Sequence, residues 1–190
     1  MSRRAPRRLP PALIREAELI QTESGLVPEG DGWFVVNARD ARWGHTQDMG
    51  SWVAFEGDAR FRDLGINVAV IRPGQPSAMY HAENSQEDFL VLSGECILLV
   101  EGQERRLKPW DLVHCPPWTE HVFVGAGEGP CVIVMVGARQ ADRDGVRCPA
   151  SAVAQKHGAG VSRETSSARE AYAPFAPVEE GAYREGDLPG

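Results

Sequence analysis

A chain of 190 residues, 42% of them hydrophobic and 25% charged, is long enough for one globular domain with extensions. Its net charge of −7 argues against general binding of nucleic acid or of an anionic membrane surface. The longest apolar run is far shorter than the roughly 20 residues of a transmembrane helix. We therefore expect neither nucleic acid nor a membrane as a partner.

The N-terminal arm, residues 1–47, begins with a basic cluster of Arg3, Arg4, Arg7 and Arg8 among prolines. The cluster is either an arm that contacts an anionic partner or a disordered, solvated tail. The lack of apolar residues around it favours the tail. Behind it, the apolar positions of Ala12–Ile20 predict a short helix.

The middle of the chain consists of short β-branched or aromatic runs separated by Gly, Pro, Asn and Asp. Because the connectors are too short for crossover helices, the runs predict an antiparallel sandwich or barrel, which we place at residues 48–138. The predicted strands are Trp33–Val36, Ser51–Phe55, Ile66–Arg72, Ser77–Glu83, Glu87–Leu92, Glu95–Val100, Gln103–Leu107, Leu112–Cys115, His121–Val124 and Cys131–Val136.

The C-terminal extension, residues 139–190, is more polar. Ser151–His157 and Ser166–Tyr172 predict two short helices, since Gly158 and Pro174 follow as stop signals. The acidic, Gly- and Pro-containing tail is expected to fray.

The four cysteines show no C-x-x-C spacing and fall mostly within apolar strands. They are Cys96, Cys115, Cys131 and Cys148. This pattern is typical of small buried side chains in a reducing compartment, so we expect a cytoplasmic protein without disulfides.

One segment concentrates polar side chains inside the predicted barrel. His81 and Glu83 project from the same face of a strand because side chains alternate. Asn84-Ser85 turns the chain, and Glu87 opens the next strand beside the first. These three groups, all capable of binding metal, converge on an apolar interior, where unpaired carboxylates need a cation or a proton.

A second segment runs from Asp111 to His121. Pro116-Pro117 ends one strand, and His121 begins another in which Phe123 also points inward. The two segments together resemble the paired motifs of the cupin superfamily. His81, Glu87 and Gly94 fall at positions of the first cupin motif, and Pro116 and His121 at positions of the second.

The resemblance implies a jelly-roll barrel with one divalent metal ion bound by His81, Glu87 and His121. The sequence departs from the motifs where Glu83 replaces a second histidine and where Trp110 and Trp118 replace glycines. Gly125 also replaces an asparagine, and Gly74 lies one residue too far upstream.

Glu83 has three possible roles: a fourth metal ligand, an acid/base group beside the metal, or a residue turned away at the rim. The sequence slightly favours the first. His45 and His157 are expected at the surface, and strand parity points His114 out of the barrel. Trp110 and Trp118 are expected to fill space near the mouth of the site.

Two histidines and a carboxylate leave coordination positions open for water, O2 or a chelating substrate, and suit Fe, Mn, Zn or Ni. Cupin relatives include dioxygenases, isomerases and lyases. The resemblance therefore implies a mononuclear metalloenzyme for a small oxygen-rich molecule. The alternatives are a non-catalytic metal- or small-molecule-binding cupin, used for sensing or storage, and a metal-free structural barrel.

We also expect a homodimer, in which Trp33–Val36 and the C-terminal segment cross between subunits.

Overall fold

The computed structural model describes residues 13–139 and 145–190. The basic N-terminal cluster at Arg3–Arg8 lies outside the described residues. None of the helices in these two ranges is both long and apolar enough to span a membrane.

Antiparallel strands dominate the described chain, with two helices of five residues each near its end. The elements are β1 (Glu18–Thr22), β2 (Gly25–Glu29), β3 (Arg42–His45), β4 (Ser51–Ala54), β5 (Leu64–Ile71), β6 (Ala82–Glu83), β7 (Glu87–Ser93), β8 (Glu95–Val100), β9 (Gln103–Leu107), β10 (Leu112–Cys115), β11 (His121–Ala126), β12 (Cys131–Ala138), β13 (Val146–Arg147), α1 (Ala152–Lys156), α2 (Ala168–Tyr172) and β14 (Glu179–Gly181).

Two sheets face each other across the core. One has seven strands in the order β10-β7-β12-β5-β4-β3-β14, and the other has three in the order β11-β8-β9. Isolated bridges from Pro73, Pro76 and His81 add a further segment beside β11. The fold is therefore the antiparallel jelly-roll barrel that the sequence predicts, with helical elements in the C-terminal extension.

The core between the sheets is built from alternate residues of each strand. Phe89 and Val91 of β7 pack against Phe123 of β11 and Ile133 of β12. The rings of Phe89 and Phe123 lie 4.7 Å apart between centroids, in a tilted arrangement. Each fully buried side chain of this size contributes about 1.5–3 kcal/mol, so this layer anchors the strands that carry the site.

The predicted helix at Ala12–Ile20 is wrong. From Leu13 onward the chain is extended, and β1 forms a hairpin with β2 in which Ile20 pairs with Val27. Leu13 is exposed, so the apolar residues of this segment do not form the buried face of a helix. The predicted strand Trp33–Val36 has only a single bridge, from Trp33 to Glu16.

Most central strands were predicted within two residues of their observed bounds, but Ser77–Glu83 forms regular strand only at Ala82–Glu83. Five strands were not predicted: β1, β2, β3, β13 and β14. β2 contains Pro28, and β14 contains two glutamates and a glycine, so neither has an apolar run to mark it. The seven-stranded sheet consequently extends beyond the predicted range 48–138.

The two C-terminal helices form where they were predicted. Ser151 and Ser167 are their N-caps, and each side chain accepts a hydrogen bond from a main-chain amide of the first turn. The tail that was expected to fray is packed instead. Asp187 is fully buried, and its Oδ1 accepts a hydrogen bond of 2.5 Å from Arg72.

His45 was expected at the surface, but it is buried. Its Nδ1 lies 2.9 Å from the hydroxyl of Ser51, and its Nε2 lies 3.0 Å from the carbonyl of Ala182. The reason is β14, which pairs with β3 and covers the ring. His157 keeps part of its side chain exposed and contacts Glu104.

Candidate metal centre

His81, Glu87 and His121 come from three neighbouring positions at one end of the barrel. His121 opens β11, Glu87 opens β7, and His81 precedes β6. One nitrogen or oxygen atom from each residue lies within 4.8 Å of the other two. In the part of the chain that the structure describes, these three residues form a group that could hold a metal ion.

The two histidines present the same nitrogen to the centre. Nδ1 of His81 lies 2.7 Å from the carbonyl of Met79, and Nδ1 of His121 lies 3.0 Å from that of Thr119. A carbonyl oxygen can only accept a hydrogen bond, so each Nδ1 carries the ring proton and donates the hydrogen bond. Each neutral ring therefore keeps the lone pair of Nε2 free, the tautomer that a metal ligand needs.

Glu87 lies opposite this pair of nitrogens. Its Oε2 is 3.5 Å from Nε2 of His121, within the spacing of roughly 3–4 Å expected between two ligands whose bonds to one ion are near 2 Å. The ring of Phe89 lies 5.1 Å from that of His121 and forms the apolar floor below the group. The residues thus fit a small cation held above an apolar core.

Burial shapes the electrostatics of the group. It raises the pKa of Glu87 to about 7, an effect that the negative charge of Glu83 reinforces. It also lowers the pKa of His121 to about 4, and the positive charge of His81 adds to that shift. A buried carboxylate and a buried neutral imidazole are the states that a divalent ion would stabilise.

Glu83 lies beside this group, not within it. Its Oε1 is 3.6 Å from Nε2 of His81, and its side chain is 43% exposed. The neighbouring ring of His81 lowers the pKa of Glu83, and burial opposes this effect. Burial alone would lower the pKa of His81, but Glu83 and the Met79 carbonyl outweigh it and raise that pKa.

A cavity of about 510 Å³ opens beside Glu83 and Glu87. Its lining also includes Arg42, Arg60 and Arg139. We call it the metal-side cavity. It gives the centre access to a small molecule, and sequence reasoning missed all three arginines because they lie on separate segments with no shared motif.

The two tryptophans at glycine positions of the motifs retain the glycine backbone conformation. Trp110 has φ 75° and Trp118 has φ 69°. Trp118 lies next to the centre, where its amide donates a hydrogen bond of 2.7 Å to the carbonyl of Glu83. The amide of Trp110 donates a hydrogen bond to the carbonyl of Val91. Val91 lies about 13 Å from Glu87 along β7. The expectation that Trp110 lies at the mouth of the site is therefore wrong.

His114 points away from the barrel, as strand parity predicted. Its side chain is 54% exposed, and its Nδ1 lies 2.7 Å from Oδ1 of Asp88. The three cysteines of the central strands, Cys96, Cys115 and Cys131, and Cys148 nearer the C-terminus are buried free thiols.

Comparison with known proteins agrees with this architecture. A family model described as a cupin domain matches residues 67–137. The 5-nitrosalicylic acid 1,2-dioxygenase of a Bradyrhizobium species is 27% identical over 73 residues, which cover 38% of this chain and 35% of that enzyme. The match thus spans about a third of the length of this curated relative.

Two solved structures also match parts of this chain. A polyketide cyclase from Streptomyces resistomycificus matches 59% of this chain and 84% of its own, with 15% identity and a TM-score of 0.50. A putative sugar phosphate isomerase from Acidithiobacillus ferrooxidans matches 45% of this chain and 55% of its own, with 32% identity and a TM-score of 0.42. The family model shows that this chain carries a cupin domain at residues 67–137.

Proposed function

We propose that this protein is a mononuclear metalloenzyme that acts on a small, oxygen-rich organic substrate. The observation that carries the proposal is that Nδ1 of both His81 and His121 lies at a main-chain carbonyl, which leaves each Nε2 free. One ligand atom of each ring and one of Glu87 lie within 4.8 Å of one another. Such a set suits Fe, Mn, Zn or Ni, and ligand identity alone ranks these ions only loosely.

When bound, the ion would supply a Lewis acid that polarises a substrate oxygen or supports reaction with O2. The protein side chains supply the remaining functions. Phe89 and Phe123 exclude water below the centre, and the Met79 and Thr119 carbonyls fix the imidazole rings. The centre is therefore preorganised on the side facing the core and open towards the metal-side cavity.

Glu83 is proposed as the acid/base residue. It lines the metal-side cavity, it is partly exposed, and its lowered pKa keeps it as a carboxylate that accepts a proton. Its position outside the group of three favours this role over that of a fourth ligand. A positioned base of this kind typically contributes 10²–10⁴-fold to a proton-transfer step.

Among dioxygenase, isomerase and lyase chemistry, we place dioxygenase chemistry first. The support is the sequence similarity to a dioxygenase, which falls on 73 residues of this chain. A non-catalytic metal- or small-molecule-binding cupin is the alternative, since one barrel accommodates many functions.

The test begins with elemental analysis of untagged protein, which should find about one divalent ion per chain. The metal-loaded protein is then incubated with a panel of diketones, hydroxy acids, aromatic hydroxy acids and sugars, with oxygen consumption and product formation followed. Turnover that disappears on chelation supports the enzyme. Stoichiometric metal without turnover of any class supports the binding protein, and a metal-free preparation that takes up no added ion contradicts both.

We further propose a cytoplasmic homodimer. The exposed Trp33 and Val35 lie on the segment expected to cross between subunits, and their burial by a second copy would remove apolar surface from water. Light scattering at micromolar concentration should give twice the chain mass, and a monomer mass would contradict the assembly.

A further inference from the structure

A second cavity lies next to the metal-side cavity. It measures about 500 Å³ and is lined largely by apolar side chains that include Met49, Ala69, Phe175 and Val178. We call it the apolar cavity. Trp52, Asn67 and Met135 line both cavities, so these three side chains stand where the two meet.

Apart from Glu83 and Glu87, the charged residues that line the metal-side cavity are three arginines and Glu56, which is an excess of positive charge. Glu56 accepts hydrogen bonds from both terminal nitrogens of Arg139, which pairs those two charges. Arg60 lies 3.6 Å from the same carboxylate and is mostly exposed. Arg42 forms an ion pair of 3.5 Å with Glu180, and its Nη2 donates a hydrogen bond of 3.1 Å to the carbonyl of Glu56. Arg42 and Arg60 therefore make looser contacts with carboxylates than Arg139 does, and they are the guanidinium groups assigned to a further anion.

Asn67 marks the junction of the two cavities. Over the described ranges 13–139 and 145–190, its Oδ1 is buried and accepts no hydrogen bond. A buried amide without a partner is costly, and such a group in a native structure requires an explanation. A hydroxyl or N–H of a molecule spanning the junction would satisfy it.

We propose that the two cavities together bind one amphiphilic organic carboxylate. Its acid group lies between Arg42, Arg60 and the metal centre, and its apolar body enters the apolar cavity past Asn67. The assignment rests on the proposed function in one respect, since a bound ion neutralises Glu83 and Glu87 and leaves the metal-side cavity positive. It narrows the substrate class from oxygen-rich molecules to acids with an apolar body.

Isothermal titration calorimetry of the metal-loaded protein tests the assignment with three probes. Cinnamate has both features, its neutral amide lacks the charge, and oxalate lacks the apolar body. We expect cinnamate to bind at least tenfold more tightly than cinnamamide. Arg60→Gln should weaken cinnamate binding about two- to fivefold, the range of an exposed ion pair. Arg62→Gln is the matched control, because Arg62 is 94% exposed and does not line the cavity.

A substitution in the wall of the apolar cavity tests whether this cavity holds the apolar body of the ligand. Val178→Asn places a polar group on its wall at a half-exposed position and should weaken cinnamate binding while leaving oxalate binding unchanged. Leu112→Asn, at an exposed leucine outside both cavities, should change neither.

The outcomes separate this inference from the proposed function. If elemental analysis finds the ion and cinnamate binds no better than its amide, the substrate class is wrong and the metalloenzyme stands. If the protein takes up no ion but discriminates cinnamate from its amide through Arg60, the cavity assignment stands and the metalloenzyme is wrong. If Val178→Asn weakens the binding of cinnamate and of oxalate equally, the proposed role of the apolar cavity is wrong.

Discussion

His81 and His121 are hydrogen-bonded to each other through their main chains. The amide of His121 donates to the carbonyl of His81 at 2.8 Å, and the amide of His81 donates back at 3.2 Å. The two candidate ligands are thus a directly opposed antiparallel pair, and their rings lie 5.1 Å apart. Because main-chain atoms set this spacing, replacing either ring leaves the pairing in place.

His121→Ala should therefore lose the metal and keep the fold. Removing a direct ligand is expected to lower metal affinity by at least about 100-fold, since even supporting residues contribute roughly 10–100-fold. With metal in excess, the melting temperature should fall by roughly 5–10 °C, because stabilisation by the bound ion is lost. Elemental analysis and thermal melts with and without chelator measure both effects, and His114→Ala is the exposed histidine control. Full metal occupancy in His121→Ala would disprove the centre.

Glu83→Gln separates the two roles left open for this residue. If Glu83 is an acid/base group, the substitution should change metal affinity by no more than about twofold, while turnover falls about 100-fold or more. If Glu83 is a fourth ligand, the substitution should weaken metal binding. Metal titrations and steady-state kinetics on the same preparation decide between them. Glu128→Gln offers a comparison at an exposed acid in the turn after β11, which does not line the metal-side cavity.

Glu87→Gln should reveal the cost of the buried carboxylate. Folding raises the pKa of Glu87 from its usual value to about 7, so between about pH 4.5 and 7 the folded state binds more protons than the unfolded state. The free energy of unfolding therefore falls as the pH increases through this range. The metal-free variant should therefore be more stable than the metal-free parent at pH 8, by on the order of 2 kcal/mol, and equal to it near pH 4. Urea unfolding in the presence of chelator at both pH values gives the comparison. A variant that is less stable at pH 8 would contradict the expectation.

Metal binding should itself depend on pH. An ion displaces protons from its ligands, so affinity falls as the pH drops through about 7, where Glu87 takes up its proton, and His81, with its raised pKa, adds to the same trend. Calorimetric titrations of the metal in two buffers of different ionisation enthalpy should show net proton release at pH 7. Affinity that is constant between pH 6 and pH 8 would be inconsistent with this ligand set.

Trp110→Gly should stabilise the protein. A left-handed conformation costs a residue with a side chain about 1–2 kcal/mol, which glycine avoids, although glycine returns about 0.5–1 kcal/mol through the entropy of the unfolded chain. Trp110 is 74% exposed, so little packing is lost. Trp110→Ala keeps the strain and is the matched control. Denaturant unfolding should rank glycine above alanine, and the reverse order would show that φ 75° carries no strain here.

The sequence was informative where chemistry is concentrated in a short stretch. The spacing from His81 to Glu87 and the position of His121 behind a diproline predicted residues that the fold brings together. The strands from Ile66 to Val136 were equally readable, because Val, Ile and Leu runs alternate with Gly and Pro turns.

The features that escaped prediction depend on contacts distant along the chain. Arg42 and Arg60 line the metal-side cavity only because β3 and the segment between β4 and β5 bring them there, which no local pattern encodes. β14 consists of Glu179, Glu180 and Gly181 and becomes a strand only because β3 offers it a free edge. The exposure expected for His45 failed for the same reason.

The pairing of β14 with β3 has a consequence during synthesis. β3 ends at His45 and β14 begins at Glu179, so the outer edge of β3 stays uncovered until the whole barrel between them has been synthesised. An unpaired edge is a site where incompletely synthesised chains join one another. Synthesis through β14 is thus a condition for a nascent barrel that resists aggregation.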